Sequence, residues 1–192
     1  MDLAERRGME TDVYQPATDS RLLAEAAIDR LSDRPTGRVL EVGTGSGYVA
    51  GQVRSALEWD VVASDLNPNA CLEARDRGLD VVRGDLVEPF GAERFDAVVF
   101  NPPYLPTDPS VERDDWMEVA LSGGPSGRAV VEPFLETVRR VLRPDGVVLL
   151  LVSSLTGMSD VTELAGDAGF SAIAVTTESF PYESLTVLEL IQ

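Results

Sequence analysis

An α/β fold, a mostly parallel, doubly wound sheet of seven strands whose last strand is antiparallel, is predicted by three features of this 192-residue sequence. Short apolar runs such as Val61-Val62-Ala63, Ala97-Val98-Val99-Phe100 and Val147 to Val152 alternate with stretches whose apolar residues recur at helical spacing. The runs are apolar at successive positions rather than every second one, as strands buried on both faces are. The first strand ends in a glycine-rich turn, Gly43-Thr44-Gly45-Ser46-Gly47, at the kind of strand end where open sheets hold their ligands. A chain of this length, burying roughly 70% of its unfolded surface, needs only one core, so residues 1–192 read as a single domain.

Residues 1–18 carry no periodicity, yet Val13-Tyr14-Gln15-Pro16-Ala17 is apolar enough to pack. It reads as an ordered arm, which with the next helix makes an N-terminal arm and helix over 1–35. Leu22, Leu23, Ala26, Ala27 and Leu31 set that helix; Asp19 or Ser20 can cap it and Pro35-Thr36-Gly37 stops it. Arg38 to Gly43 is a strand, followed by the glycines and a helix from Tyr48 to Leu57. Strand Asp60 to Asp65 ends in a carboxylate, and Asn67-Pro68 opens the following helix with a cap and a first-turn proline, closing near Gly78. Leu79 to Arg83 is a third strand with Gly84-Asp85-Leu86 at its end, and Phe95 to Phe100 a fourth, running into Asn101-Pro102-Pro103-Tyr104. Residues 105–125 lack a sustained period and read as a lid or substrate loop, since long loops in compact domains are more often functional than idle. Val130, Val131, Phe134, Leu135, Val138, Val141 and Leu142 predict a helix over 127–142, turned by Pro144-Asp145-Gly146 into strand Val147 to Val152. A short helix starts near Ser159, with Asp160 and Glu163 at capping-box spacing. The last strands, Ser171 to Thr177 and Leu185 to Ile191, are too close for a helical crossover and must pair antiparallel.

Composition narrows the function. Acidic residues number 33 against 16 basic, every basic residue is arginine, and the net charge is −17. Such a surface repels a phosphate backbone, making nucleic acid an unlikely partner, and it also suits a halophilic, salt-loaded interior where charges are screened over a few ångströms. No run approaches eighteen apolar residues and Met1 to Arg7 leads into no signal region, so the expectation is a cytoplasmic chain without a membrane segment. Cys71 is the one cysteine, which rules out an internal disulfide and reads as helix packing. Without histidine neither an imidazole base nor a His-ligated zinc site can be built, and no metal is expected.

The chemistry sits at the strand ends. Gly43 and Gly45 permit positive φ and close approach of a ligand to the backbone. The spacing is G-T-G-S-G rather than the G-x-G-x-x-G of dinucleotide binders, and Glu41 two residues earlier would repel a pyrophosphate but attract an ammonium group; S-adenosylmethionine fits. Asp65 stands where a carboxylate can take both ribose hydroxyls, and Asp85 and Leu86 where adenine could be held. In Asn101-Pro102-Pro103-Tyr104, the Asn101 amide oxygen and the Pro102 carbonyl can accept two N–H bonds from a planar nitrogen, Pro103 helps fix the carbonyl's direction, and Tyr104 can stack on a flat substrate. No general base is required before transfer from a sulfonium, so the missing histidine is no objection.

Together, EVGTGSG at 41–47, SDLNPNA at 64–70, RGDL at 83–86 and FNPPY at 100–104 resemble the Rossmann-like class I methyltransferases of the HemK type, which methylate the glutamine side-chain amide of the GGQ motif in translation release factors. VYQPATDSRLL and SGGPSGRAVVEPFL look like the short archaeal and eukaryotic branch. The resemblance implies that Ser20, Glu41, Gly43, Asp65, Asp85 and Leu86 bind S-adenosylmethionine and that Asn101 touches both cofactor and substrate. It also implies a partner, a small zinc-ribbon activator protein forming a heterodimer over an edge strand; Leu79 to Arg83 is the edge candidate, with Val81-Val82 apolar on both faces.

Competing readings are an adenine or guanine amino-group methyltransferase on RNA or DNA, for which the same four residues would do the same work, and a binding subunit without turnover. Lysine methylation fits less well, because an ammonium must first lose a proton. Trp116 and Met117 in the lid are candidates for substrate contact or for a local anchor.

Overall fold

The structure, a computed structural model, describes residues 12–108 and 115–192. Residues 1–11 of the arm and 109–114 of the expected lid lie outside the described residues. Helix α1 (Thr18–Ser32) precedes strand β1 (Arg38–Val42), then α2 (Tyr48–Ala56), β2 (Asp60–Asp65), α3 (Pro68–Asp76) and β3 (Asp80–Arg83). From β4 (Phe95–Phe100) the chain passes through α4 (Trp116–Leu121) and α5 (Val131–Val138) to β5 (Leu142–Ser153), α6 (Met158–Asp167), β6 (Ser171–Ser179) and β7 (Ser184–Ile191).

Seven strands form one sheet in the order β3-β2-β1-β4-β5-β7-β6. The pairs among β3, β2, β1, β4 and β5 are parallel, and β7 runs antiparallel to both β5 and β6. The sheet is doubly wound because successive β residues feed opposite cores. Val147, Leu149 and Leu151 pack with α1 and α2, while Val148, Leu150 and Val152 pack with α5 and α6. Continuous apolar runs in the sequence are the signature of this arrangement.

Several local expectations are corrected. Neither Asp19 nor Ser20 caps α1: the N-cap is Ala17, without a side-chain bond, because the Asp19 carboxylate is occupied elsewhere. The helix expected over 127–142 is only Val131–Val138. Before it Gly127, at φ +74°, and Ala129 close turns onto Gly124 and Gly123; after it Leu142 already pairs with Phe95 in the sheet. Pro144-Asp145-Gly146 is a bulge inside β5 rather than a turn ahead of it, with the register stepping from Phe95↔Leu142 to Ala97↔Val147. No capping box forms on α6, whose N-cap is Gly157; Asp160 is drawn instead to Arg128 at 3.1 Å. The expected lid contains α4, N-capped by Asp115, whose Oδ1 accepts the Glu118 amide at 2.8 Å.

Helix α1 is fastened to the sheet by charge. Glu189 on β7 is fully buried and ion-paired with Arg30 and, at 3.3 Å, with Arg34. Arg34 also donates to the Asp145 carbonyl, so one helix face binds both a central strand and the β5 bulge.

Candidate active site

Strand register brings the motifs to one level. Val42 of β1 pairs with Ser64 of β2 and with Phe100 of β4, so the next residues, Gly43, Asp65 and Asn101, leave the sheet side by side at its carboxyl edge. Asp65 is registered on Arg83, which sets Gly84-Asp85-Leu86 beyond it. Strand order reverses between β1 and β4, and such a switch point opens a crevice for ligand. A cleft of about 1190 Å³, measured out to its open mouth, occupies it, and every residue assigned to the site from sequence lines it, from Ser20 and Glu41 to Asn101, Pro102, Pro103 and Tyr104.

On one side lies the glycine turn, with Gly43 at φ +63° and Gly45 at φ +53°. A Cβ on Gly45 would come within 3.2 Å of the Tyr14 carbonyl, so the arm lies directly against the turn. Its latches are Asn67, which donates to the Asp12 carbonyl at 2.6 Å, and Gln15, which reaches Glu73. Glu41 is buried, and its Oε2 accepts the Thr44 hydroxyl and, at 2.9 Å, the Ala50 amide in the first turn of α2. Both bonds fall on one oxygen, leaving Oε1 for the cleft. Burial pushes its carboxyl up to about 7 against the pull of these two donors, with the charge of Asp65 adding to the rise.

Asp65 Oδ2 accepts the Gly45 amide and Oδ1 the Asn67 amide, each at 2.8 Å. Each oxygen keeps a further lone pair, so a diol can still be taken by both. Burial raises this carboxyl too, opposed by the same amides. Leu86 sits at φ +43°, a left-handed conformation that costs a leucine about 1 kcal/mol and marks a backbone held for a purpose. Cys71 is buried beneath, its thiol directed at the Asp65 carbonyl and pushed up by burial, in keeping with packing.

On the other side Asn101 Oδ1 is buried and has no hydrogen-bond partner among the described residues. A buried acceptor left unpaired costs about 1–3 kcal/mol, which a ligand N–H would recover. Tyr104 lines the cleft but is buried, packed with the α1 core rather than standing as an open platform, and its hydroxyl donates to Asp19 at 3.4 Å. The lid is tied at its base: Leu105 donates to the Leu121 carbonyl at 3.0 Å, Gly123 to Leu105 at 2.9 Å and Thr107 to Gly124 at 3.0 Å. Trp116 and Val119 of α4 line the mouth; Met117 does not.

Sequence reasoning missed Asp19, treating it as a cap. It is 3% exposed, and its carboxylate collects the hydroxyls of Tyr14, Ser20 and Tyr104 together with the Ser20 amide. The usable signal was its place between an arm tyrosine and Ser20. Among the described residues no group of histidine, cysteine, aspartate or glutamate could hold a metal ion.

Residues 39–122 match the model of a methyltransferase domain family. Over 183 residues the chain is 32% identical to MJ0928 of Methanocaldococcus jannaschii, provisionally named a protein N5-glutamine methyltransferase, covering 92% of this chain and 90% of that one. The chain belongs to the HemK-type glutamine methyltransferase family. Another member, methyltransferase HEMK2 of Mus musculus, is 31% identical over 95% of this chain and 91% of its own. Release factor glutamine methyltransferase of Deinococcus radiodurans is 36% identical over 70% of this chain, but only 52% of that longer protein is spanned. Among solved structures, the E. cuniculi Mtq2–Trm112 complex, described as methylating the eRF1 translation termination factor, superposes with a TM-score of 0.78 at 28% identity, covering 95% of this chain and 99% of that one. Membership of a HemK-type family makes the fold that of a class I methyltransferase and the chemistry methyl transfer.

Proposed function

We propose that this chain is, as one catalytic domain, an S-adenosylmethionine-dependent enzyme that methylates the glutamine side-chain amide of the GGQ motif in a translation release factor. The observation that carries it is the unpaired, buried Asn101 Oδ1 beside a proline carbonyl, at the level of Gly43 and Asp65. An amide nitrogen offers two hydrogens in one plane, and Asn101 and Pro102 offer two acceptors and no competing donor from the proline. Held there, the nitrogen loses its rotational freedom and presents one face to the cofactor side.

S-adenosylmethionine, when bound, supplies a methyl group activated on a sulfonium. Glu41 Oε1 suits its ammonium, the two oxygens of Asp65 its ribose hydroxyls, and Asp85 with Leu86 its adenine; the open glycine turn admits it to the strand ends. Trp116 and Val119 give the mouth an apolar lip against which a peptide excludes water.

A small activator protein with a zinc ribbon is proposed to cover the β3 edge. Support comes from that edge being unpaired and from Leu66 and Leu72, 42% and 57% exposed, on the adjoining turn and helix α3. No helix among the described residues is long and apolar enough to cross a membrane. With a charge of −17, work in a salt-rich cytoplasm is the proposed setting.

The test is transfer of labelled methyl to a purified release factor, with its GGQ peptide read by mass spectrometry, beside bulk tRNA, rRNA and DNA at high salt. Label on the glutamine, lost by at least a hundredfold in Asn101→Ala without loss of folding, is expected. Label on nucleic acid alone would replace this reading with a base-amino methyltransferase, and cofactor binding without any transfer with a binding subunit.

A further inference from the structure

We propose that Asp19 is a positioning residue that sets which way the hydroxyls of the cleft point, making its wall a surface of acceptors that selects N–H groups. The inference rests on the methyltransferase reading above. Four donors converge on this one carboxylate: the Ser20 amide at 2.7 Å, the Tyr14 hydroxyl at 2.8 Å, the Ser20 hydroxyl at 3.3 Å and the Tyr104 hydroxyl at 3.4 Å. A hydroxyl has a single hydrogen, and once that hydrogen is given to Asp19 only lone pairs remain for the cleft.

Ser20 and Tyr104 both line that cleft. Their oxygens therefore join Asn101 Oδ1, which is itself buried and unpaired, and the Pro102 carbonyl as acceptors. An ammonium or an amide NH2 finds partners on such a wall. A carboxylate or carbonyl oxygen finds none and stays desolvated, so a glutamine is admitted where the nearly isosteric glutamate is refused. Asp19 touches neither ligand group in this account; it acts through Ser20 on the cofactor side and through Tyr104 on the substrate side.

The experiment is calorimetry on the full chain with S-adenosylhomocysteine and with its analogue lacking the α-amino group. The wild type should prefer the amine by roughly tenfold or more, the weight of a hydrogen bond to a charged group. Asp19→Asn keeps the shape but adds an NH2 that donates to the hydroxyls and turns their hydrogens into the cleft; the preference should shrink about tenfold while the adenosine part still binds. Ser20→Ala, which removes one acceptor and leaves Asp19 in place, should shrink it likewise and decides the matter if Asp19→Asn does not fold. A structural role alone would weaken both ligands equally, and that result, or an unchanged ratio in both variants, overturns the proposal. A wild type that binds neither ligand overturns the methyltransferase reading with it.

Discussion

Replacing Glu41 with glutamine should remove the rising limb of the pH dependence of cofactor binding. The carboxyl is pushed up to about 7, first by burial, and is half neutral at pH 7 in the ligand-free protein. Only the ionised form attracts an ammonium, so affinity should follow the ionised fraction, from roughly a tenth at pH 6 to nine-tenths at pH 8. Above about pH 8 an α-amino group of ordinary pKa loses its own proton and affinity falls again. Calorimetry with S-adenosylhomocysteine in two buffers of different ionisation enthalpy should show release of about half a proton at pH 7 from Glu41, absent in Glu41→Gln. Stability moves the opposite way. The folded chain holds the Glu41 proton more tightly than the unfolded chain between about pH 4.5 and 7, so stability falls as pH rises through that window, by roughly 3 kcal/mol, and is level above it. A flat binding profile in the wild type, or an unchanged rising limb in Glu41→Gln, would refute the assignment of Glu41 to the ammonium.

Three further outcomes are expected. The double variant Arg30→Ala, Arg34→Ala strands the buried Glu189 charge and should lose about 3–5 kcal/mol in urea unfolding, whereas Glu189→Leu, which frees two arginines that reach solvent, should lose much less; equal losses would contradict the ion-pair account. Gly47→Ala places a Cβ 2.8 Å from Leu79 Cδ1 and 3.1 Å from Ala74 Cα at φ +79°, and should cost roughly 1–3 kcal/mol in the same melt. Leu72→Glu, at an exposed site on α3, should leave the chain's own thermal midpoint within a few degrees while preventing copurification of a small partner from the native host; retention of that partner would move the interface elsewhere.

The sheet was legible because parallel strands buried on both faces leave unbroken apolar runs, and β4 is observed with the bounds read for it, Phe95–Phe100. The cap of α3 was legible for a local reason: Asn67 and Pro68 act within their own turn, and Asn67 accepts the Asn69 amide at 2.9 Å. Asp19 and Asp160 were misread because a carboxylate with capping geometry goes wherever its best donors lie, and those donors, Tyr104 and Arg128, are remote in sequence. The end of α5 was misplaced because Val141 and Leu142 continue the helical spacing, yet Leu142 is taken by pairing with Phe95. Within the site, residue types at strand ends pointed to the cleft, while the unpaired state of Asn101 Oδ1 and the convergence on Asp19 depend on side-chain packing that no spacing encodes.

The ties between residues 105–107 and 121–124 join the exit of the fourth strand to the far end of the lid in one small frame. A Cβ on Gly127 would stand 2.8 Å from the Tyr104 carbonyl, and one on Gly123 2.5 Å from the Gly127 carbonyl, so the frame has no slack. A peptide pressing on Trp116 therefore pushes on the same rigid piece that carries the asparagine amide, and docking and alignment become a single event: a substrate too poorly matched to seat the cover also fails to bring its nitrogen into line.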